Sequence, residues 1–232
     1  MRLNTPLKNA LRAGSLLLVF AGLATAILAT TFNITRSEIT HNEQQATRAL
    51  IGQVMPATLH DNDLLDARLS LPADDMLGTR TPSYAWVARK QGQATGVVLE
   101  AIAPDGYSGD IALLIGLRVD GQITGVRVTA HKETPGLGDY IDIAKSRWIT
   151  QFDDKSLTQP ADAAWKVQRD GGSFDARAGA TITPRAMVKA VHGALHYYVR
   201  HRARLLAPAQ PERPLVSLVI TGSDRAPGRK AL

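Results

Sequence analysis

Between Ala13 and Phe32 the chain runs twenty residues without a charge, AGSLLLVFAGLATAILATTF. As a helix, such a run spans about 30 Å, the thickness of a bilayer's hydrocarbon core. Arg2, Lys8 and Arg12 precede it with no acid among them, whereas Arg36 is followed by Glu38 and Glu43. The positive-inside bias therefore predicts a single-pass anchor, with residues 1–12 in the cytoplasm, 13–33 in the membrane and the remainder outside the cytoplasm. A cleavable signal sequence would share the charged start and the small residues Ala24 and Ala26, but its apolar core is shorter. This run continues past both alanines, and the anchor is the reading it favours.

The remainder is long enough for one domain with a sizeable core. The chain has no cysteine, which excludes disulfides, thiolate metal sites, iron–sulfur ligation and thiol nucleophiles. A net charge of +6 and a pI near 9.8 would suggest nucleic acid for a cytosolic protein. A domain outside the cytoplasm meets none, and the basic residues are scattered, so no nucleic-acid partner is expected. Anionic lipid or an acidic protein surface suits the charge better.

Arg36 to Met55 reads as a helix, with Ile39, Ala46, Leu50 and Val54 near helical spacing and Pro56 ending it. Residues 34–60 form a linking segment, 61–206 the folded domain, and 207–232 a proline-rich basic tail in which Leu215–Ile220 could add an edge strand. Within the domain, Tyr84–Val87, Gly96–Ala103, Ile111–Val119 and Ile123–Thr129 read as strands. Pro104-Asp105-Gly106 and Asp120-Gly121 read as turns, and Gly125 as a bulge where the apolar parity shifts. The expected class is α+β: an antiparallel sheet flanked by helices. A helix is expected over Asp139–Thr150, burying Tyr140, Ile141, Ala144 and Trp148, then a short strand near Trp165–Gln168. A last helix runs from Pro184 to about Arg202, with Met187, Val188, Val191, Leu195, Tyr198 and Val199 as its apolar stripe.

Two loops could carry chemistry. In His131–Gly138, Pro135 and Gly136 occupy the central positions of a type II turn over Thr134–Leu137. The segment is either a binding loop at a strand end or a plain connection. In Asp175-Ala176-Arg177-Ala178-Gly179-Ala180-Thr181, small residues give access to the Thr181 hydroxyl, and Thr183-Pro184 reads as an N-cap with proline at the first helical position. A helix N-terminus favours an anion, so the segment is either a phosphate site or an ordinary turn into a helix. His192 and His196 stand four apart, but no acidic third ligand lies near them in sequence. A solvated basic face is expected there, not a metal site.

The single anchor, the strand pair, HKETPGLGD over 131–139 and DARAGAT ending at Thr181 together resemble the G subunit of Rnf-type ion-translocating oxidoreductases. The resemblance covers about residues 1–202. The flavin-binding domain is similar to that of the C subunit of sodium-translocating NADH:quinone oxidoreductase. It implies an inner-membrane, single-pass protein with a periplasmic FMN-binding domain. FMN would be attached through its phosphate to Thr181, at the end of an Asp-x-x-Ser/Thr-Gly-Ala-Thr motif that departs here only at Ala178. Glu133, Thr134, Pro135, Gly136, Leu137 and Gly138, with Gly179 and Ala180, would form the rest of the flavin site, and Thr181 would be an attachment point with no catalytic residue in the chain itself. The resemblance further implies a flavin transferase for maturation and the other subunits of an Rnf-type complex as partners. That complex would couple ferredoxin and NAD electron transfer to ion translocation, with this chain as a non-catalytic electron relay. The alternatives are the quinone-reductase C subunit, a flavin-free membrane-tethered assembly protein and a stand-alone flavin reductase.

Overall fold

The computed structural model describes residues 5–208. The first helix, α1 (Thr5–Val54), is a single rod of 50 residues in which the apolar run and the linking segment are continuous. Its stretch Lys8–Arg36 is long and apolar enough to cross a membrane, with mean hydropathy 2.1 and none of it buried in the protein. Leu17 and Leu18 stand 70% and 74% exposed, an apolar surface that water alone does not support. The C-terminal end of α1 meets the domain, with Ile51, Val54 and Met55 just beyond it buried.

Five strands follow: β1 (Arg68–Leu71), β2 (Ser83–Lys90), β3 (Gln93–Gly106), β4 (Gly109–Arg118) and β5 (Ile123–Ala130). They form one antiparallel meander in chain order. Because side chains alternate between faces, Val97, Leu99, Ala101 and Ala103 of β3 lie with Ile111, Leu113, Ile115 and Leu117 of β4 on one face, in matched register. The helix α2 (Ile182–Leu205) covers that face with Met187, Val188, Val191, Leu195 and Tyr198. Trp86, Ala88, Val98 and Leu114 point to the other face, where Ile51, Val54 and Met55 close a second, smaller core. Glycine is required at that contact: a Cβ on Gly116 would run into the Val54 carbonyl, which also accepts the Thr124 hydroxyl.

Several elements differ from the sequence expectation. Pro104-Asp105-Gly106 lies inside the longer β3, and the hairpin turns at Tyr107-Ser108 instead. The bulge falls on Thr124, the residue skipped between the pairs Gly116–Gly125 and Leu117–Ile123. Asp139–Thr150 is not an α-helix but two 3-10 turns, Asp139–Ile141 and Arg147–Phe152, separated where the Asp142 carbonyl accepts the N–H groups of Lys145 and Ser146. Ala144 is exposed and Trp148 half-buried, while Ile149 and Phe152 fill the core. The segment near Trp165 makes no strand, only an isolated bridge between Val167 and Phe174. Helix α2 starts at Ile182, two residues earlier than expected, and Val199 is 60% exposed, off the stripe. The expected edge strand at Leu215–Ile220 lies outside the described residues.

Candidate functional site

The loop after β5 closes on itself. Leu137 and Gly138 donate their N–H groups to the Thr134 carbonyl, each at 3.1 Å, and Gly136 has φ of 80°. Proline at the second position and a left-handed glycine at the third are what a type II turn requires. Asp139, 9% exposed, accepts the Gly136 N–H through Oδ1 at 2.8 Å. Glu133 is more deeply placed, at 4% exposure. Its Oε2 accepts the Thr183 hydroxyl at 2.5 Å and its Oε1 accepts the Ser108 N–H at 3.1 Å. One buried carboxylate thus ties the β3–β4 turn, this loop and the first turn of α2 together.

The second loop has the same local geometry. Ala180 donates its N–H to the Arg177 carbonyl at 3.2 Å, with Gly179 at φ of 85° in the third position. Its supports come from elsewhere in the chain. The Tyr140 hydroxyl donates to the Ala180 carbonyl at 3.2 Å, and the Arg177 guanidinium lies 4.6 Å above the Tyr140 ring. Burial pushes the Tyr140 pKa up, so the hydroxyl stays a donor at neutral pH. The Trp148 indole N–H donates to the Asp175 carbonyl at 2.8 Å, the Asp175 N–H donates to Gln151 Oε1 at 2.8 Å, and Gln168 donates to the Asp175 carboxylate at 2.6 Å. The two 3-10 turns are therefore the scaffold of this loop.

The two loops face one cavity of about 370 Å³. Glu133, Thr134, Leu137 and Gly138 line it from the first loop, and Gly179, Ala180 and Thr181 from the second. Pro135 and Gly136 shape the turn without forming the wall, and Lys132 is exposed. Tyr107, Ile182 and Thr183 complete the lining. Sequence reasoning missed Tyr107 because it sits in a turn placed three residues too early. It placed Thr183 as an N-cap, whereas Thr181 holds that position and Thr183 is buried against Glu133. A larger cleft of about 580 Å³ runs beneath α1 and holds none of these residues.

The residues present suit a flat, anionic cofactor. The volume falls in the range of roughly 300–1,000 Å³ that small-molecule sites occupy. Tyr107, Leu137 and Ile182 offer exposed apolar surface around the opening. Helix α2 has no acidic residue of its own in its first turn, where the Glu133 carboxylate takes the Thr183 hydroxyl, and a helix N-terminus favours a ligand's negative charge. Among the described residues the Thr181 side chain makes no capping hydrogen bond, which leaves its hydroxyl available at the cavity wall. Gly138 is required for close packing behind it, since a Cβ there would sit 2.5 Å from Glu133 Oε2.

Residues 106–196 match the FMN-binding domain family, and residues 1–54 match the RnfG N-terminal region. The G subunit of the ion-translocating oxidoreductase complex of Pseudomonas aeruginosa is 48% identical over 204 residues, covering 88% of this chain and 94% of its own length. The chain belongs to the G-subunit family of ion-translocating oxidoreductase complexes. The corresponding G subunit of Vibrio cholerae is 45% identical over 192 residues, covering 83% of this chain and 91% of its own. Among solved structures, NqrC of Shewanella oneidensis is similar at 22% identity and TM-score 0.43, over 65% of this chain and 77% of that one. The G-subunit relatives decide against the quinone-reductase C subunit. The family match to the FMN-binding domain covers both cavity loops and α2 as far as His196.

One expectation about α2 is corrected. His192 and His196 do not face solvent alone: Asp162, thirty residues away in sequence, lies 2.8 Å from His192 Nε2. Spacing along the chain gave no sign of it.

Proposed function

We propose that this chain carries FMN covalently, its phosphate esterified to Thr181, and relays electrons within a membrane-bound Rnf-type complex. Family membership makes it an electron-transfer flavoprotein of that complex. The observation that carries the covalent reading is the Thr181 hydroxyl, free of capping bonds at the cavity wall, immediately before the N-terminus of α2.

Thr181 would receive the flavin from FAD through a separate flavin transferase: an Oγ–P bond forms, AMP leaves, and the hydroxyl proton is released. Bound FMN would supply the one- and two-electron redox chemistry, which no side chain here provides. The chain's own residues do the holding. The N–H groups of Ile182 and Thr183 lack intrahelical acceptors and favour the phosphate's charge. Glu133, satisfied by Thr183 and Ser108, keeps the two cavity walls at fixed separation. Leu137, Ile182 and Tyr107 provide the apolar contact for the ring, and Thr134 and Gly138 the backbone beside it. Residues 61–206 form the flavin-carrying domain: β1 and β2 precede the family match yet belong to the same sheet as the hairpin within it.

In a strain supplying the transferase, the wild-type chain should fluoresce as a flavoprotein on a denaturing gel. Thr181→Ala should fold and lose that fluorescence completely. Covalent flavin retained in the folded variant would overturn the assignment. The charges flanking the anchor favour a periplasmic domain, with α1 crossing the inner membrane. A reporter active only outside the cytoplasm should work when fused after Arg202 and fail at the N-terminus, and the reverse pattern would refute this orientation.

A further inference from the structure

A second site lies about 15 Å along α2 from its first residue, counted at the helical rise from Ile182 to His192. His192 and His196 are one helical turn apart on the same face, and the 3-10 turn Asp162–Ala164 brings a carboxylate against both. His192 Nε2 is 2.8 Å from Asp162 Oδ1, His196 Nε2 is 3.3 Å from the same oxygen, and the two Nε2 atoms are 3.2 Å apart. The His192 ring stacks on Trp165 at 5.2 Å and 8°, which fixes the direction of its nitrogen. Trp165 is itself locked in the core against Phe152 and Phe174.

Hydrogen bonds satisfy at most two sides of this triangle: with both Nε2 atoms donating to the Asp162 carboxylate, two donors face each other at 3.2 Å. Each Nε2 carries either a proton or a lone pair. If His192 Nε2 donates to Asp162, it has no lone pair for His196. If it accepts from His196, it has no proton for Asp162, and two acceptors face each other at 2.8 Å. A cation at the centre meets all three lone pairs at once. We propose that Asp162, His192 and His196 bind one divalent zinc ion, with the fourth coordination position open to solvent.

The geometry and donor set select the ion. Zinc with bonds of about 2.0–2.1 Å in a tetrahedron separates its ligand atoms by about 3.3–3.4 Å. Two sides of the triangle already match, and the third opens by about 0.5 Å. Two imidazoles and a carboxylate, without thiolate, suit a borderline ion better than magnesium or calcium. The two histidines at i and i+4 present their nitrogens to one ion, a spacing helical zinc sites use. Asp162 and His196 are exposed, so the open position is accessible to water or to a side chain of a neighbouring subunit. The ion would clip the irregular stretch that carries the Thr181 loop onto α2. This site is independent of the flavin reading.

The test uses the full-length chain in detergent, purified without a histidine tag, stripped with chelator, exposed to zinc chloride and dialysed. Elemental analysis should find one zinc per chain, and the metal should raise Tm in a way chelator reverses, since a ligand bound only to the native state stabilises it. Cobalt(II) in its place should give the visible absorption of a tetrahedral site. His196→Ala, at a half-exposed position, and Asp162→Asn should keep the fold by circular dichroism and lose both the stoichiometric zinc and the Tm rise. His201→Ala, a histidine of α2 outside the cluster, should retain them. Wild-type protein that retains no zinc, or His196→Ala that retains as much as wild type, would overturn the proposal.

Discussion

Thr134–Leu137 and Arg177–Ala180 are both four-residue turns with a left-handed glycine in third place, and residues of both line the same cavity. Their supports differ. The first is held by carboxylates next to it in sequence, Glu133 and Asp139, both buried. The second is held by Tyr140, Trp148, Gln151 and Gln168, all reaching in from a stretch that begins after the first turn has closed. The wall proposed to carry the phosphate is thus built on the irregular excursion between the turns, while the wall proposed to face the ring is built on the sheet. A change to either should leave a different trace.

The largest effect is expected from Glu133→Ala. It leaves the Thr183 hydroxyl and the Ser108 N–H without their acceptor, and an unsatisfied buried group costs roughly 1–3 kcal/mol. Urea unfolding of the flavin-free full chain should show a lower midpoint, and Glu133→Gln should recover part of the loss. An unchanged midpoint in Glu133→Ala would mean that the carboxylate does not join the two walls. Gly136→Val tests the first turn alone. Nothing lies within 4 Å of the position its Cβ would take, so its cost is the left-handed φ, about 1–3 kcal/mol. Gly136 is off the cavity wall, so this variant should lose stability, keep covalent FMN and shift the flavin spectrum only modestly. Loss of the covalent flavin in a folded Gly136→Val would break the separation between the two walls. Tyr140→Phe tests the second turn. It removes the hydrogen bond to the Ala180 carbonyl and the longer one accepted from the Arg177 N–H, about 0.5–1.5 kcal/mol each, and should reduce the yield of flavinylation more than it reduces Tm. Equal flavin content in Tyr140→Phe and wild type would show that the excursion does not position Thr181.

The same contrast governs what the sequence made legible. The membrane run, the paired strands around Asp120-Gly121, the Thr134–Leu137 turn and the stripe of α2 all follow from local periodicity or turn chemistry, and each formed nearly where expected. The excursion did not. Tyr140, Ile141, Ile149 and Phe152 are apolar at spacings that suit a helix, but they fill the core from two short 3-10 turns anchored by Asp142 and Ser146. They also hold the cavity-side loop through Tyr140, Trp148 and Gln151, contacts with residues that no local window contains. Asp162 beside His192 is the same case: a cluster made by the excursion folding back on α2. Thr183 was misplaced for a related reason, since its partner, Glu133, lies fifty residues upstream.

The central claim is that Thr181 is the flavin's point of attachment. Intact mass spectrometry of the wild-type chain, matured with a flavin transferase and FAD, should give the mass of the polypeptide plus FMN less one water. Peptide mapping should place that increment on the peptide containing Thr181 and on its hydroxyl. An unmodified Thr181 in protein that is fully loaded with covalent flavin, or an increment mapped to another residue, would contradict the account.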